Sequence, residues 1–211
     1  MVLIEHWQSA KWGQATCSAL GAYLLGCFAT GYYLVRLRTG TDIREIASGS
    51  TGARNVGRVL GKTGFVLTAL GDFGKGALAV WMVREWTGNA HLAALAMLAV
   101  VAGHIWPAPL RFCGGKGVAT SFAALMVLDF RMAMALAVLF LVGIAARKSV
   151  LCGMLAFACL PLAALWFNHD GLTVTLTALM SAVILFAHRK NLVEEFAVLS
   201  ARRSVVSKLD S

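Results

Sequence analysis

The chain has 211 residues, of which 59% are apolar and only 14% are charged, whereas soluble domains carry about 25% charged residues. This composition excludes an ordinary soluble protein, and five cysteines without a CxxC pair argue against a disulfide framework or a zinc site. The net charge of +9 is distributed in groups between apolar stretches, which is typical of membrane topology signals rather than of nucleic-acid binding. We therefore expect an integral membrane protein with no nucleic-acid partner.

Seven apolar segments are predicted to form helices, because a spanning helix needs about 20 apolar residues and because every backbone polar group within lipid must be hydrogen-bonded. In chain order they cover residues 16–35, 64–83, 92–108, 118–128, 132–146, 150–167 and 172–187. The fourth and fifth are short, so they could be tilted, partly re-entrant or an interrupted hairpin around Asp129. The predicted fold is all-α, a polytopic membrane helix bundle of about seven transmembrane helices, with residues 1–211 as a single domain.

The basic residues predict how this bundle is oriented. Most of the 19 lysine and arginine residues fall in the connections at 36–62, 111–116 and 147–148 and in the tail from residue 188. With seven crossings these four regions share one side, which the positive-inside rule places in the cytoplasm. We therefore predict an N-terminus outside, a C-terminus inside, and a basic tail lying on the anionic leaflet.

The polar connection between the first two segments is the first candidate for a functional site. Its glycines allow sharp turns that present backbone N–H groups in a concave nest, and an arginine can hold a phosphate through two parallel hydrogen bonds. A flexible, solvated loop explains the same composition equally well, and the G-K-[ST] ending of a Walker A loop is absent. The candidate residues are Ser48, Gly49, Gly52, Asn55 and Arg58.

Asp72 and Lys75 are ionisable residues within the second apolar segment. Each costs roughly 2.5–3.5 kcal/mol at the centre of a membrane helix. Their spacing of three places them on one helical face, where they can neutralise each other. We therefore favour a structural ion pair, while a contact between Lys75 and a substrate remains open.

Two further clusters lie on the same predicted side. Gly114, Gly115, Lys116 and Gly117 open the fourth segment, and His104 ends the third. Backbone N–H groups at a helix start attract anions, and a nearby lysine strengthens the attraction. We therefore predict a phosphate site there, although a glycine-rich turn whose lysine only sets topology would have a similar sequence.

The run that follows the last segment contains His188 and Asn191. A charged stop that anchors the end of the helix is the simpler interpretation of this run.

Together these motifs resemble the bacterial membrane glycerol-3-phosphate acyltransferases that use acyl phosphate as donor. Residues 47–58 follow the first motif of that family without a gap, residues 103–120 follow the second, and residues 188–192 begin the third. The chain departs from the family pattern at six positions, which are Ala47, Ser50 and Arg54 in the first motif, Val150 where the family has a serine after the fifth segment, and Val198 and Ser200 where the third motif closes with Gly-x-Glu.

The resemblance implies acyl transfer from a long-chain acyl phosphate to the 1-hydroxyl of glycerol 3-phosphate, at the cytoplasmic face of a bacterial inner membrane. It implies no cofactor, and no acidic cluster suited to Mg²⁺ is visible, so we expect no metal. The sequence is compatible with a monomer. A transporter of a small phosphorylated anion is the alternative, but transporter sites tend to lie near the midplane of the membrane.

The resemblance also implies roles for individual residues. Ser48, Arg58 and Lys116 would hold phosphate groups. Asn55 and Asn191 would orient the substrates, and His104 and His188 would handle protons unless the acyl phosphate itself accepts the proton of the hydroxyl. Glycines would give the substrates access to the backbone, at Gly49, Gly52, Gly114, Gly115 and Gly117. Lys75 could also contact a substrate.

Overall fold

The computed structural model describes residues 2–146 and 149–193, with side chains described for 12–146 and 150–193. This part of the chain is helical and contains no strand, which confirms the all-α prediction. Its α-helices are α1 (Val2–Gly26), α2 (Thr30–Thr39), α3 (Ala53–Thr87), α4 (Ala90–Ile105), α5 (Val118–Leu128), α6 (Phe130–Ala145), α7 (Ser149–Trp166) and α8 (Gly171–Ala187). Two short 3-10 helices cover Ile43–Glu45 and Ala108–Leu110.

The surface of the bundle is apolar over most of its height. Within the described residues, the stretches Trp12–Thr39, Ala53–Thr87 and Ala90–Leu110 are long and apolar enough to cross a membrane. Four shorter helices are also apolar, namely Val118–Leu128, Phe130–Ala145, Val150–Trp166 and Gly171–Ala187. Leu141 and Leu162 are 62% and 65% exposed, in keeping with faces that pack against lipid. The chain is therefore built as a membrane bundle, and the number of crossings stays a prediction.

The first apolar segment is not continuous, contrary to the prediction for residues 16–35. α1 ends at Gly26 and α2 begins only at Thr30. A Cβ atom at Gly26 would lie 2.3 Å from the carbonyl oxygen of Val100 on α4, so α1 and α4 cross with their backbones in close approach. Small residues at membrane helix crossings permit this packing.

The connection that follows is also shorter than expected. It ends where α3 begins at Ala53, so Asn55 and Arg58 lie on a helix rather than in a long loop. The apolar side chain of Val56 makes this helical start favourable, because it is fully buried with Val35 and Ile43 in a small core of its own.

α3 is bent sharply at Gly61, whose φ of 67° and ψ of −161° interrupt the helix. Residues 53–60 and 62–87 form two arms of a V. A Cβ atom at Gly57 would lie only 3.1 Å from the Cβ of Phe65, a contact that a straight helix could not make. This backbone conformation is essentially restricted to glycine.

α4 forms the centre of the bundle, where Met97, Val100 and Val101 are completely buried. The helices from α3 to α8 then alternate in direction. One end of the bundle carries Asp129, which contacts His169 at 2.8 Å, and Asp170, which contacts His91 at 3.1 Å. The opposite end gathers the starts of α3 and α5 and the ends of α4 and α8.

Candidate active site

The loop that carries Ser48 is organised by Asn55, whose side chain is 1% exposed. The Asn55 Oδ1 accepts hydrogen bonds from the Ser48 backbone N–H at 3.3 Å and from Arg58 Nη1 at 3.4 Å. Its Nδ2 donates to three loop carbonyl oxygens at 3.0–3.2 Å, those of Ile43, Ile46 and Ser50. Asn55 therefore shapes the loop and orients Arg58, and its own polar atoms are occupied by protein.

Two residues of this loop have positive φ angles. Gly49 has a φ of 65°, which glycine adopts without steric cost. Ala47 has a φ of 50° and occupies a position where the acyltransferase pattern has a glycine. The left-handed conformation costs an L-residue roughly 1–2 kcal/mol, so Ala47 strains the loop.

Arg44 joins this loop to the second motif. Its Nη2 lies 2.6 Å from Asp42 Oδ2, and its Nη1 donates to the carbonyl oxygen of Leu110 at 2.8 Å. The hydrogen bonds from Arg44 hold the pKa of Asp42 below its usual value, against the opposing effect of burial. A carboxylate that stays ionised keeps Arg44 in place, so the two loops are tied at this end of the bundle.

The second motif turns back against the end of α4. The N–H of Gly115 donates to the carbonyl oxygen of His104 at 3.0 Å, and the N–H of Gly114 donates to that of Ile105 at 3.1 Å. A Cβ atom at Gly114 would lie 2.2 Å from the His104 carbonyl oxygen, and one at Gly115 would lie 2.0 Å from His104 Nε2. Side chains are thus sterically excluded at both glycines, while Gly117 has a φ of 84° and caps α5.

The three motifs meet at one end of the bundle. The N–H of Thr51 donates to the carbonyl oxygen of Gly114 at 3.3 Å, which joins the first motif to the second. Lys116 Nζ donates to Asn191 Oδ1, which joins the second to the third. The structure therefore brings together residues from the ends of four different helices. This proximity is required if the three motifs form one site.

His188 follows α8 and is 8% exposed. Its Nδ1 lies 2.9 Å from the carbonyl oxygen of Ile184, which can only accept, so Nδ1 carries a proton. Burial lowers the pKa of His188 below its ordinary value, the Ile184 carbonyl opposes this shift, and the positive charges of Lys116 and Arg54 add to it. The imidazole is therefore neutral near pH 7, and its Nε2 bears a lone pair.

Lys75 and His104 are enclosed within the bundle, at 5% exposure each. Lys75 Nζ lies 3.0 Å from Asp72 Oδ1 and donates to the carbonyl oxygen of Phe28 at 2.8 Å. The structural ion pair favoured from the sequence is present. Burial and these partners account for the lysine, and a contact between Lys75 and a substrate stays a prediction. The His104 ring lies behind Gly115 rather than at the surface.

An open groove of about 420 Å³ runs along the V of α3. Basic side chains lie toward its start and an apolar wall toward the long arm. Its lining residues are Arg54, Gly57, Arg58, Gly61, Lys62, Phe65 and Val66. Among the described residues, no group of three or more His, Cys, Asp or Glu side chains could hold a metal ion.

Residues 16–197 match the glycerol-3-phosphate acyltransferase family. The chain belongs to this family. A glycerol-3-phosphate acyltransferase 1 of Desulfitobacterium hafniense (strain Y51) is 44% identical over 185 residues, which are 87% of this chain and 92% of the relative. A protein of the same name from Bacillus cereus (strain ATCC 10987 / NRS 248) is 36% identical over 171 residues, which are 81% of this chain and 94% of the relative.

Solved structures agree with this assignment. The crystal structure of PlsY (YgiH), an integral membrane glycerol 3-phosphate acyltransferase, in its glycerol 3-phosphate form superposes with a TM-score of 0.80 at 29% identity, over 87% of this chain and 92% of that one. The lysophosphatidic acid form gives a TM-score of 0.76 at 28% identity over the same shares. The chain is accordingly an integral membrane acyltransferase.

Two residues near the site, Arg44 and Asp72, were not predicted from the sequence to take part in it. Arg44 could have been recognised from its spacing of two to Asp42, which suits a local ion pair. The contact of Asp72 with His104, at 3.4 Å, joins residues of different helices and has no signal in a single sequence. The closing part of the third motif, at Val198 and Ser200, lies outside the described residues.

Proposed function

We propose that the protein transfers the acyl group of a long-chain acyl phosphate to the 1-hydroxyl of glycerol 3-phosphate, giving 1-acyl-glycerol 3-phosphate and inorganic phosphate. The observation that carries this proposal is the convergence of the three motifs, joined by the Thr51–Gly114 and Lys116–Asn191 hydrogen bonds. Family membership and the glycerol 3-phosphate form of the similar PlsY structure support the same reaction.

Glycerol 3-phosphate would bind between the first and second motifs. It is a soluble dianion and needs donors and positive charge at the membrane surface. Ser48, Arg58 and Lys116 offer a hydroxyl, a guanidinium and an ammonium, and hydrogen bonds to an ionised phosphate are about twice as strong as neutral ones. Asn55 would contribute indirectly by orienting Arg58, and Asn191 by orienting Lys116.

The acyl phosphate would lie along the groove on α3. Its headgroup suits the basic end formed by Arg54, Arg58 and Lys62, and its chain suits the apolar wall formed by Phe65 and Val66. The chain could then stay in hydrocarbon while the carbonyl carbon reaches the acceptor. Positioning of this kind supplies much of the rate when the reacting atoms are held about 3–3.5 Å apart.

The chemical step would be attack of the 1-hydroxyl oxygen on the acyl carbonyl carbon. The new ester bond forms, the bond from that carbon to the phosphate oxygen breaks, and phosphate leaves with the electron pair. The hydroxyl proton goes to His188 Nε2 or to the leaving phosphate. Of the two predicted histidines we choose His188, because it is neutral and lies near Lys116, whereas the His104 ring lies behind Gly115.

The site would face the cytoplasm of a bacterial cell, at the inner membrane, with seven crossings, the N-terminus outside and the C-terminus inside. The distribution of charge supports this orientation. Arg44, Arg58 and Lys116 are among the basic residues at the site end, whereas Arg84 and Arg131 lie at the other end. The positive-inside rule assigns the basic end to the cytoplasm.

The test is turnover by the purified protein in detergent. Given acyl phosphate and glycerol 3-phosphate, it should release phosphate and form the 1-acyl product, with no phosphate release when the acceptor is omitted. A transporter would move a phosphorylated anion across sealed vesicles without forming an ester. Product formation supports the proposal, and vesicle uptake without acylation would overturn it.

Arg58→Ala and Lys116→Ala should each lower kcat/KM for glycerol 3-phosphate by about ten- to a hundredfold, because a hydrogen bond to a charged group contributes about 1.5–3 kcal/mol. Arg84→Ala is the matched control, since Arg84 donates to the carbonyl oxygen of Val127 at the opposite end of the bundle. Its kcat/KM should equal that of the parent. Full turnover by both site variants would contradict the assignment.

A further inference from the structure

Asp72 is the centre of a buried group of three ionisable side chains. Its Oδ1 forms an ion pair with Lys75 Nζ at 3.0 Å and lies 3.4 Å from His104 Nδ1, a close polar contact without hydrogen-bond geometry. The residues are 3%, 5% and 5% exposed. A carboxylate in this position is costly unless it is paired, so the Lys75 ammonium keeps Asp72 in place against the His104 ring.

This group links a helix break to the second motif. Lys75 donates to the carbonyl oxygen of Phe28, which lies in the interruption between α1 and α2. On the other side, the His104 ring lies against Gly115 so closely that a Cβ atom there would be 2.0 Å from Nε2. The next residue is Lys116, whose ammonium contacts Asn191.

We infer that Asp72 is a positioning residue for acyl transfer, acting through His104 on the Gly115 turn and so on Lys116. The inference rests on the proposed function and deepens it. A carboxylate anchors the ring in one orientation, and the ring closes the space behind Gly115. If Asp72 served stability alone, restoring stability by other means would restore activity.

Two variants separate these roles. Asp72→Asn keeps the shape but leaves the Lys75 ammonium buried without its counter-ion, which is destabilising. Adding Lys75→Met removes that charge, so the double variant should recover most of the thermal stability of the parent in detergent. We expect its kcat/KM for glycerol 3-phosphate to stay at least tenfold below the parent, because His104 still lacks its carboxylate.

Cys113 supplies a readout that does not depend on activity. It is exposed and precedes Gly114, so its alkylation rate with a water-soluble maleimide reports on the turn. In a background where Cys17, Cys27, Cys152 and Cys159 are alanine, the double variant should react at least threefold faster or slower than the parent. Met132→Ala, which removes a fully buried side chain of α6, should lower stability but leave this rate unchanged.

A double variant with the kcat/KM and the Cys113 alkylation rate of the parent would overturn the inference. An equal change of the Cys113 rate in Met132→Ala would overturn it as well, because the effect would then follow general destabilisation. Failure of the proposed function is distinguishable from both outcomes. The parent protein itself would then form no ester, and the Cys113 rates would still decide whether Asp72 holds the turn.

Discussion

At the scale of single residues, the site depends on side chains that are fixed by hydrogen bonds to other parts of the protein. The side-chain amide of Asn55 donates to loop carbonyl oxygens and accepts from Arg58. The His188 ring is fixed by the carbonyl oxygen of Ile184. Fixed donors lose little entropy on binding and need no rearrangement as charge develops. Residues that shape the site therefore matter as much as those that would touch a substrate.

Ala47 offers a direct test of loop strain. Ala47→Gly should raise the free energy of unfolding by roughly 0.5–1 kcal/mol, because relief of about 1–2 kcal/mol of left-handed strain exceeds the entropic cost of about 0.4–1 kcal/mol that glycine adds in the unfolded chain. Thermal unfolding in detergent measures this gain. Ala53→Gly is the control, since Ala53 is the first residue of α3 and glycine there should be neutral or destabilising.

His188 predicts a pH dependence. If its Nε2 accepts the hydroxyl proton, turnover should fall as pH drops through the pKa of His188, which burial places below the ordinary histidine value. Turnover should therefore be flat above pH 7. The free energy of unfolding should fall in the same direction, because the unfolded state binds the His188 proton more readily than the folded state does. The loss begins as pH falls below the unfolded pKa of about 6.5.

His188→Gln should remove the acidic decline of turnover at a lowered maximal rate. A pH–rate profile of this variant that matches the parent would instead assign the proton to the leaving phosphate.

At the scale of elements, the bend of α3 is what brings the groove and the loop together. The apolar periodicity of the long arm and its ion pair could be predicted from the sequence. The short arm could not, because residues 53–60 read as a polar connection and become helical only when Val56 is buried against α2. The break between α1 and α2 was missed for a related reason, since the close crossing at Gly26 is a tertiary effect.

Gly61→Ala tests the bend. Its conformation is almost restricted to glycine, so the substitution should cost of order 1–3 kcal/mol or open the V, and turnover should fall with it. Gly74→Ala is a matched control, because Gly74 lies in the same helix with open space around its Cβ position. Thermal unfolding and phosphate release of Gly74→Ala should be close to those of the parent, whereas Gly61→Ala should be lower in both.

At the scale of the whole molecule, the convergence of the three motifs at one end of the bundle could be predicted, because the apolar segments between them place all three on one side. What the sequence could not predict is which residues touch, since the Lys116–Asn191 and Asp72–His104 contacts join distant helices. The burial of Lys75 is also a property of the packed bundle. Its place behind Phe28 is visible only once α1 and α2 separate.

Labelling in oriented vesicles tests the sidedness of the molecule. In a background that retains only Cys113, an impermeant maleimide should react from the cytoplasmic face alone. Asn168→Cys, in a background without Cys113, places a thiol at the opposite end and should react from the outer face alone. Reaction of both thiols from one face would contradict the predicted orientation.

The filled centre of the bundle restricts the route that a lipid can take. Met97, Val100 and Leu125 have no solvent-exposed surface and fill the centre of the bundle, whereas the groove along α3 is open. An acyl chain bound in this groove, as proposed, would enter and leave sideways, between α3 and the surrounding hydrocarbon. We then expect the leaflet that supplies the donor to be the leaflet that receives the new lysolipid.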